Sequence, residues 1–244
     1  MKIITWNCNG GFRKKFKRLL GFNADIYIIQ ECEEIGKYES FQKELLENSI
    51  ENFLWTGENK NKGLGVFSKK NIEIEKLDWN FSYRGRTLKY FLPFQVNKEF
   101  RILAVWNHHA DAKVFSYIGQ FWLFLQNNKK EFKNIIICGD FNSNSIWDKW
   151  DIWWNHSDCV RELEALNIFS AYHKLTYEKQ GNEKTKTFFL HKKKEKGYHI
   201  DYVFASENFL KKSIDLKIEP FQKWIDMSDH VPLIFTIDTS IYSN

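Results

Sequence analysis

Short apolar runs at widely separated places in this chain each break off at, or start from, an acid, a carboxamide or a histidine. Ile3-Ile4-Thr5-Trp6 leads into Asn7 and Asn9, Ile26-Tyr27-Ile28-Ile29-Gln30 into Glu31, and Ile135-Ile136-Ile137-Cys138-Gly139 into Asp140 and Asn142. Asp201 opens a further run after Tyr198-His199-Ile200, and Asp229 and His230 stand just before Val231-Pro232-Leu233-Ile234-Phe235. Such runs are too short for buried helices and rich in β-branched residues, so they read as buried strands. One polar residue at a strand end is ordinary. A whole set is less so, because sites collect in loops beside a rigid scaffold. Groups spread from Asn7 to His230 can act together only if both ends of the chain meet. No Pro/Gly/Ser-rich linker divides them, and the chain holds three prolines. A single domain over residues 1–244 is expected, long enough to bury a large core.

Between these runs the pattern alternates irregularly. Residues 12–20 place Phe12, Phe16, Leu19 and Leu20 on one helical face and cations on the other. A second helix is expected over 38–48, and strands at 53–57, 63–68, 72–78, 87–96 and 101–106, with turn residues between them. Helices are expected over 111–129 and 157–166, and strands over 186–190, 200–205 and 232–237. This order is neither strict βαβ nor all-β. Helices lying outside two packed sheets accommodate it.

The candidate ligands are oxygen donors. Carboxylates and carboxamides without a cysteine or histidine cluster favour a hard cation, Mg²⁺ or alternatively Mn²⁺. The four cysteines, Cys8, Cys32, Cys138 and Cys159, have no zinc-type spacing. They read as small buried hydrophobes of a reducing, cytoplasmic protein. No apolar signal core follows Met1-Lys2, and no apolar run is long enough to span a bilayer, so no membrane association is expected. Lys and Arg number 36 against 31 Asp and Glu, and cations cluster at Arg13–Arg18 and Lys192–Lys196. Basic clusters attract polyanions by counterion release.

Trp6-Asn7-x-Asn9-Gly10, Gln30-Glu31, Gly139-Asp140-Phe141-Asn142, Ile200-Asp201-Tyr202 and Ser228-Asp229-His230-Val231-Pro232 occur in that order. Together they resemble the endonuclease/exonuclease/phosphatase superfamily, the group of abasic-site endonucleases, pancreatic-type deoxyribonucleases, deadenylases, sphingomyelinases and inositol phosphatases. The resemblance covers nearly the whole chain. It implies an α/β (α+β) fold, a four-layer sandwich of two packed mixed β-sheets flanked by helices, with the site at one sheet edge. It implies Glu31 as the main metal ligand, assisted by Asn7 and Asp229. It implies Asp140 as the group that orients or deprotonates the attacking water, with Asn142 bonding that water or a phosphoryl oxygen. His230 then contacts the phosphate, held by Asp201. There are two departures. Asn9 stands where many abasic endonucleases carry an acid, and Trp106 stands where a Tyr or His commonly contacts the phosphate. Asn9, Trp106 and His109 are therefore expected at the substrate, with Asn107 and His108 as alternatives for the phosphate contact.

Nucleases and phosphatases of small esters share this chemistry. The basic excess and a tryptophan-rich insertion at 145–158 favour a nucleic-acid substrate, DNA before RNA, acted on by a monomer. The alternative is a phosphatase or phosphodiesterase of inositol phosphates or phospholipids. A catalytically dead binding module of the same fold is the rival outside enzymes, and the intact polar set argues against it. In the insertion Trp147, Trp150 and Trp154 recur at helical spacing and read as a core stripe. That leaves Trp153 as the ring expected to face outward and stack on a base.

Overall fold

The computed structural model describes residues 1–109 and 115–238. Its strands in chain order begin with β1 (Lys2–Asn7), β2 (Ile26–Cys32), β3 (Ile50–Asn59), β4 (Lys62–Lys69) and β5 (Ile74–Lys76). A small hairpin of β6 (Ser82–Tyr83) and β7 (Arg86–Thr87) precedes β8 (Phe91–Val96), β9 (Phe100–Trp106), β10 (Ile135–Asp140) and β11 (Ile168–Ser170). The two-residue pair β12 (Phe188–Phe189) and β13 (Gly197–Tyr198) is followed by β14 (Asp201–Ser206), β15 (Ile214–Ile218) and β16 (Leu233–Ile237). Two six-stranded mixed sheets result, with orders β15-β16-β1-β2-β4-β3 and β11-β14-β10-β9-β8-β5.

Both faces of the central strands are buried, which is why they read as unbroken apolar runs. Alternation still assigns each residue to a layer. Ile3, Ile26, Ile28 and Val66 of one sheet meet Phe94, Ile102, Ala104, Ile136 and Cys138 of the other in the central core. Ile4, Trp6, Tyr27 and Ile29 face the opposite way, onto Phe12, Phe16 and Leu19 of α1 (Phe12–Leu20) and Phe41 and Leu45 of α2 (Glu39–Glu47). Leu103, Val105, Ile135 and Ile137 likewise meet α3 (Ile118–Asn128) and α4 (His156–Ala165). The layers are therefore helix, sheet, sheet, helix. Each large apolar side chain withdrawn from water contributes about 1.5–3 kcal/mol. The short helices α5 (Ala171–Thr176), α6 (Glu207–Leu210) and α7 (Phe221–Trp224) complete the chain. Among the described residues no helix is long and apolar enough to cross a membrane.

Several expectations need correcting. The strand expected over 87–96 divides, because Leu88–Tyr90 leave the sheet and Tyr90 takes φ 63. The helix expected from 111 is described from Ile118 onward; residues 111–114 of it lie outside the described residues. The tryptophan stripe at 147, 150 and 154 does not form. A single 3₁₀ turn covers Ser145–Trp147, and no helix follows until His156. Trp150 is 98% exposed and Trp147 47% exposed. Periodicity misled here because Asp148 turns inward, its carboxylate accepting from the His156 and Ser157 N–H groups at the start of α4. The edge strand β15 escaped sequence reasoning, since its Ile-Asp-Leu-Lys-Ile pattern is half polar and short.

Candidate active site

Strand direction explains why distant polar groups meet. β1 and β2 run parallel, with Asn7 opposite Gln30, and β9 and β10 run parallel, with Trp106 opposite Asp140. Their C-terminal ends therefore emerge at one edge. β14 and β16 run against them, so their beginnings reach that same edge: Asp201 lies opposite Asp140, and Leu233 opposite Thr5. Asn7 joins the sheets, its Nδ2 donating to Asp140 Oδ2 at 2.9 Å and to Glu31 Oε1 at 3.4 Å.

Local backbone shape aims these groups. Glu31 sits in a β-bulge with φ 60, where the β2–β4 register shifts between Gln30 and Cys32. A left-handed glutamate is strained, and such strain collects at functional sites. Asn142 and Asn9 also take positive φ, 46 and 52, which asparagine tolerates better. Gly139 has φ 147, and a Cβ there would lie 1.8 Å from the Val105 carbonyl oxygen. Only glycine fits before Asp140.

The carboxylate of Asp140 is fully buried and held on three sides. Asn142 N donates to its Oδ1 at 2.8 Å, while Asn142 Nδ2 and Asn7 Nδ2 donate to its Oδ2. Burial raises the Asp140 pKa to about 7, against the downward pull of His230. His230 Nδ1 lies 2.9 Å from Asp201 Oδ2, and Nε2 lies 3.9 Å from Asp140 Oδ2. Burial pulls the imidazole pKa down, but Asp201 and Asp140 outweigh it and hold it at about 9. Asp140, Asp201 and His230 bring donor atoms within 4.8 Å of one another, a spacing that could suit a metal. An imidazole hydrogen-bonded through Nδ1 to Asp201 and held cationic by the two carboxylates has no lone pair to offer an ion, an arrangement that can hold and pass a proton.

The oxygen donors suited to a hard cation lie at Glu31. A cation already stands there, since Lys62 Nζ is 2.8 Å from Glu31 Oε2. The residues fit a divalent ion in donor chemistry: the Glu31 carboxylate, with Asn7 and Asp229 at the same edge. Asn7 directs its amide nitrogen at the carboxylates because its Oδ1 accepts from Asn9 N at 3.0 Å. Ligation through Oδ1 requires that amide to reverse. Asp229 is half-buried, and its charge bears on His230 and Lys15.

Other expected residues are placed differently. Trp106 is not at the surface. As residues 102, 104 and 106 alternate inward, it is 1% exposed in the core between the sheets, against Tyr90 at 4.6 Å and His108 at 4.7 Å. It cannot stack on substrate. The buried Asn107 beside it holds the Phe141 carbonyl at 3.0 Å. Asn9 and His109 are exposed. His109 lines a groove of about 460 Å³ with Tyr117, Asn142, Trp147, Lys149 and Trp154. Trp153 is 66% exposed and packs edge-on against Trp154 at 5.0 Å.

Sequence reasoning missed the supports. Ser228 Oγ donates to the Asn7 carbonyl at 2.7 Å and accepts from His230 N at 3.0 Å. Thr187 Oγ1 accepts from the N–H groups of Ile200 and Asp201, and its carbonyl accepts from Val231 N. Ser228 was visible inside its motif. Thr187 and Lys62 carried no sequence signal.

Solved structures share this architecture. A 3′-5′ exonuclease from Neisseria meningitidis superposes with TM-score 0.71 at 18% identity, over 98% of this chain and 100% of that one. A 3′ phosphatase from Neisseria bound to a product DNA hairpin gives 0.70 at 19%, over 98% and 99%. An AP endonuclease from Archaeoglobus fulgidus gives 0.70 at 18%, over 98% and 100%. At such identities these likenesses show the fold. No curated protein sequence matches the chain. The model of the endonuclease/exonuclease/phosphatase family, phosphoester hydrolases that generally depend on divalent metals, matches residues 4–230, from the first strand to His230 itself, and the chain belongs to that family.

Proposed function

We propose that this chain is a Mg²⁺- or Mn²⁺-dependent phosphodiesterase that hydrolyses nucleic acid, DNA foremost. The observation that carries the reading is the Asp140–His230–Asp201 relay standing beside Asn7 and Glu31 at one sheet edge. Asp140, deprotonated, takes the proton of the attacking water, and Asn142 fixes the carboxylate for that task. His230, kept cationic by Asp201, donates from Nε2 to a phosphoryl oxygen. Glu31, with Asn7 and Asp229, holds the divalent ion, which when bound offsets charge on the phosphoryl and leaving oxygens. Because residues of both sheets are needed, residues 1–244 act as one domain.

Three features support nucleic acid over a small ester. The groove beside Asn142 is flanked by aromatic rings that can stack on bases. Lysines at 192, 193, 194 and 196 are exposed in the segment that follows Phe188, whose ring lies 4.7 Å from His230. Finally, the similar structures include a 3′ phosphatase bound to a product DNA hairpin and an AP endonuclease. The Neisseria 3′ phosphatase also favours removal of a 3′-terminal phosphate as a second activity. Four free, buried cysteines suit a reducing cytoplasm.

The test is a panel of plasmid DNA, abasic duplex, 3′-phosphorylated hairpin, single-stranded RNA and inositol phosphates, each with Mg²⁺ and with EDTA. Cleavage of a DNA member, lost in EDTA and restored by Mg²⁺ or Mn²⁺, is expected. Turnover of inositol phosphates alone would replace the nucleic-acid reading, and full activity in EDTA would remove the metal.

A further inference from the structure

Lys62 opens β4, and its ammonium forms the 2.8 Å ion pair with Glu31 Oε2. The pair is built into the hairpin. Cys32 pairs with Gly63, so the bulged Glu31 falls beside the strand start where Lys62 stands. Gly63 leaves no freedom there, because a Cβ would lie 2.3 Å from the Trp55 ring. The Lys62 Nζ also lies 5.8 Å from the centroid of the Trp106 ring. The Glu31 side chain is 16% exposed and that of Lys62 47%. The carboxylate is thus the fixed partner and the ammonium the mobile one, on a flexible four-carbon stem.

Resting on the reading of Glu31 as the metal ligand, we propose that Lys62 is a built-in counter-cation for that carboxylate. It neutralises Glu31 in the metal-free enzyme, where a half-buried carboxylate without a partner is costly. It must yield Oε2 when Glu31 takes up a divalent ion, since two cations at one oxygen repel. The released ammonium then pairs with an anionic oxygen of the phosphodiester. One residue therefore weakens metal binding and strengthens substrate binding. A purely structural lysine does neither in this opposed way.

The test is direct Mn²⁺ binding without substrate, read from the electron paramagnetic resonance of free Mn²⁺, on the wild type, Lys62→Met, Lys62→Arg and Glu31→Gln. Methionine keeps an unbranched apolar stem beside the Trp106 ring. Removal of one partly exposed competing charge should tighten Mn²⁺ binding about 2- to 5-fold in Lys62→Met, with Lys62→Arg near wild type. The KM for an oligonucleotide should rise by a similar factor while kcat changes less. Unchanged or weaker Mn²⁺ binding by Lys62→Met, with an unchanged melting temperature, overturns the inference and leaves the metal reading intact. Wild-type Mn²⁺ binding that Glu31→Gln does not weaken overturns the metal reading of Glu31, and this inference with it.

Discussion

At the residue scale, the proposed chemistry turns on two groups whose burial and mutual charge shift their protons. Asp140 is raised to about 7 by burial, and His230 is held at about 9 by Asp201 and Asp140. A base must be deprotonated and a phosphate donor protonated. Activity should therefore rise with pH as Asp140 loses its proton near 7 and fall as His230 loses its own near 9. A bell-shaped kcat/KM profile checks this, and a profile flat through neutrality would reassign the base. Asp140→Asn should lower turnover about 10²–10⁴-fold with little change in substrate affinity. His230→Ala should cost as much, and also about 3–5 kcal/mol of stability, because it leaves the buried Asp201 without its cation. Single-turnover rates and denaturant melts separate the two effects.

Elements decide whether those groups are aimed. Gly139 ends the apolar part of β10 at φ 147, against the Val105 carbonyl. Gly139→Ala should destabilise the fold by more than about 3 kcal/mol, as steric conflict adds to backbone strain. A denaturant midpoint close to wild type would show that β9 and β10 can part at this point. The insertion between Asn142 and α4 carries the aromatic surface. Trp150 and Trp153 are the most exposed rings, Trp147 is exposed on one side while packing on Tyr198 at 5.1 Å, and Trp154 packs on Phe115 at 4.8 Å. If a base stacks there, Trp150→Ala or Trp153→Ala should weaken oligonucleotide binding about 5- to 150-fold. Hydrolysis of a small p-nitrophenyl diester should not change. Equal loss on both substrates, or on neither, would separate the insertion from substrate binding.

Across the whole molecule, buried polar networks tie the second sheet to the segment that supports Asp201. Glu183 accepts from Asn144 and Gly181 and meets His173 at 3.2 Å. His156 and His199 are buried nearby, and burial lowers both imidazoles to about 4. Each stays neutral in the fold while the unfolded chain protonates near its ordinary value. The stability these two imidazoles contribute is therefore full above about pH 6.5 and declines as pH falls toward about 4, by up to about 3 kcal/mol per histidine, while Asp140, which takes up its proton in the fold near 7, contributes in the opposite direction. Denaturant midpoints at about pH 7 and about pH 5, measured on Asp140→Asn so that this carboxyl does not titrate, test the sign, and an equal or higher midpoint at the lower pH would contradict it.

The apolar runs, their β-branched content and the polar residues that end them were legible in the order of residues, because burial on both faces imposes an unbroken apolar signature. Asn7, Glu31, Asp140, Asp201 and His230 could be singled out for the same reason. Strands of opposed direction turn sequence positions at run ends and run starts into one edge. The sequence carried no such signal for partners made through space. Trp106 looked like a surface group because it ends a strand, yet alternation turns it between the sheets. The tryptophans at 147, 150 and 154 looked like a stripe, yet Asp148 caps the next helix and breaks it. Lys62 reaches Glu31 only because a bulge in one strand faces the start of another. Periodicity reports what is near along the chain. Contacts across 31 residues, or across the 224 that separate Trp6 from His230, are decided by packing alone.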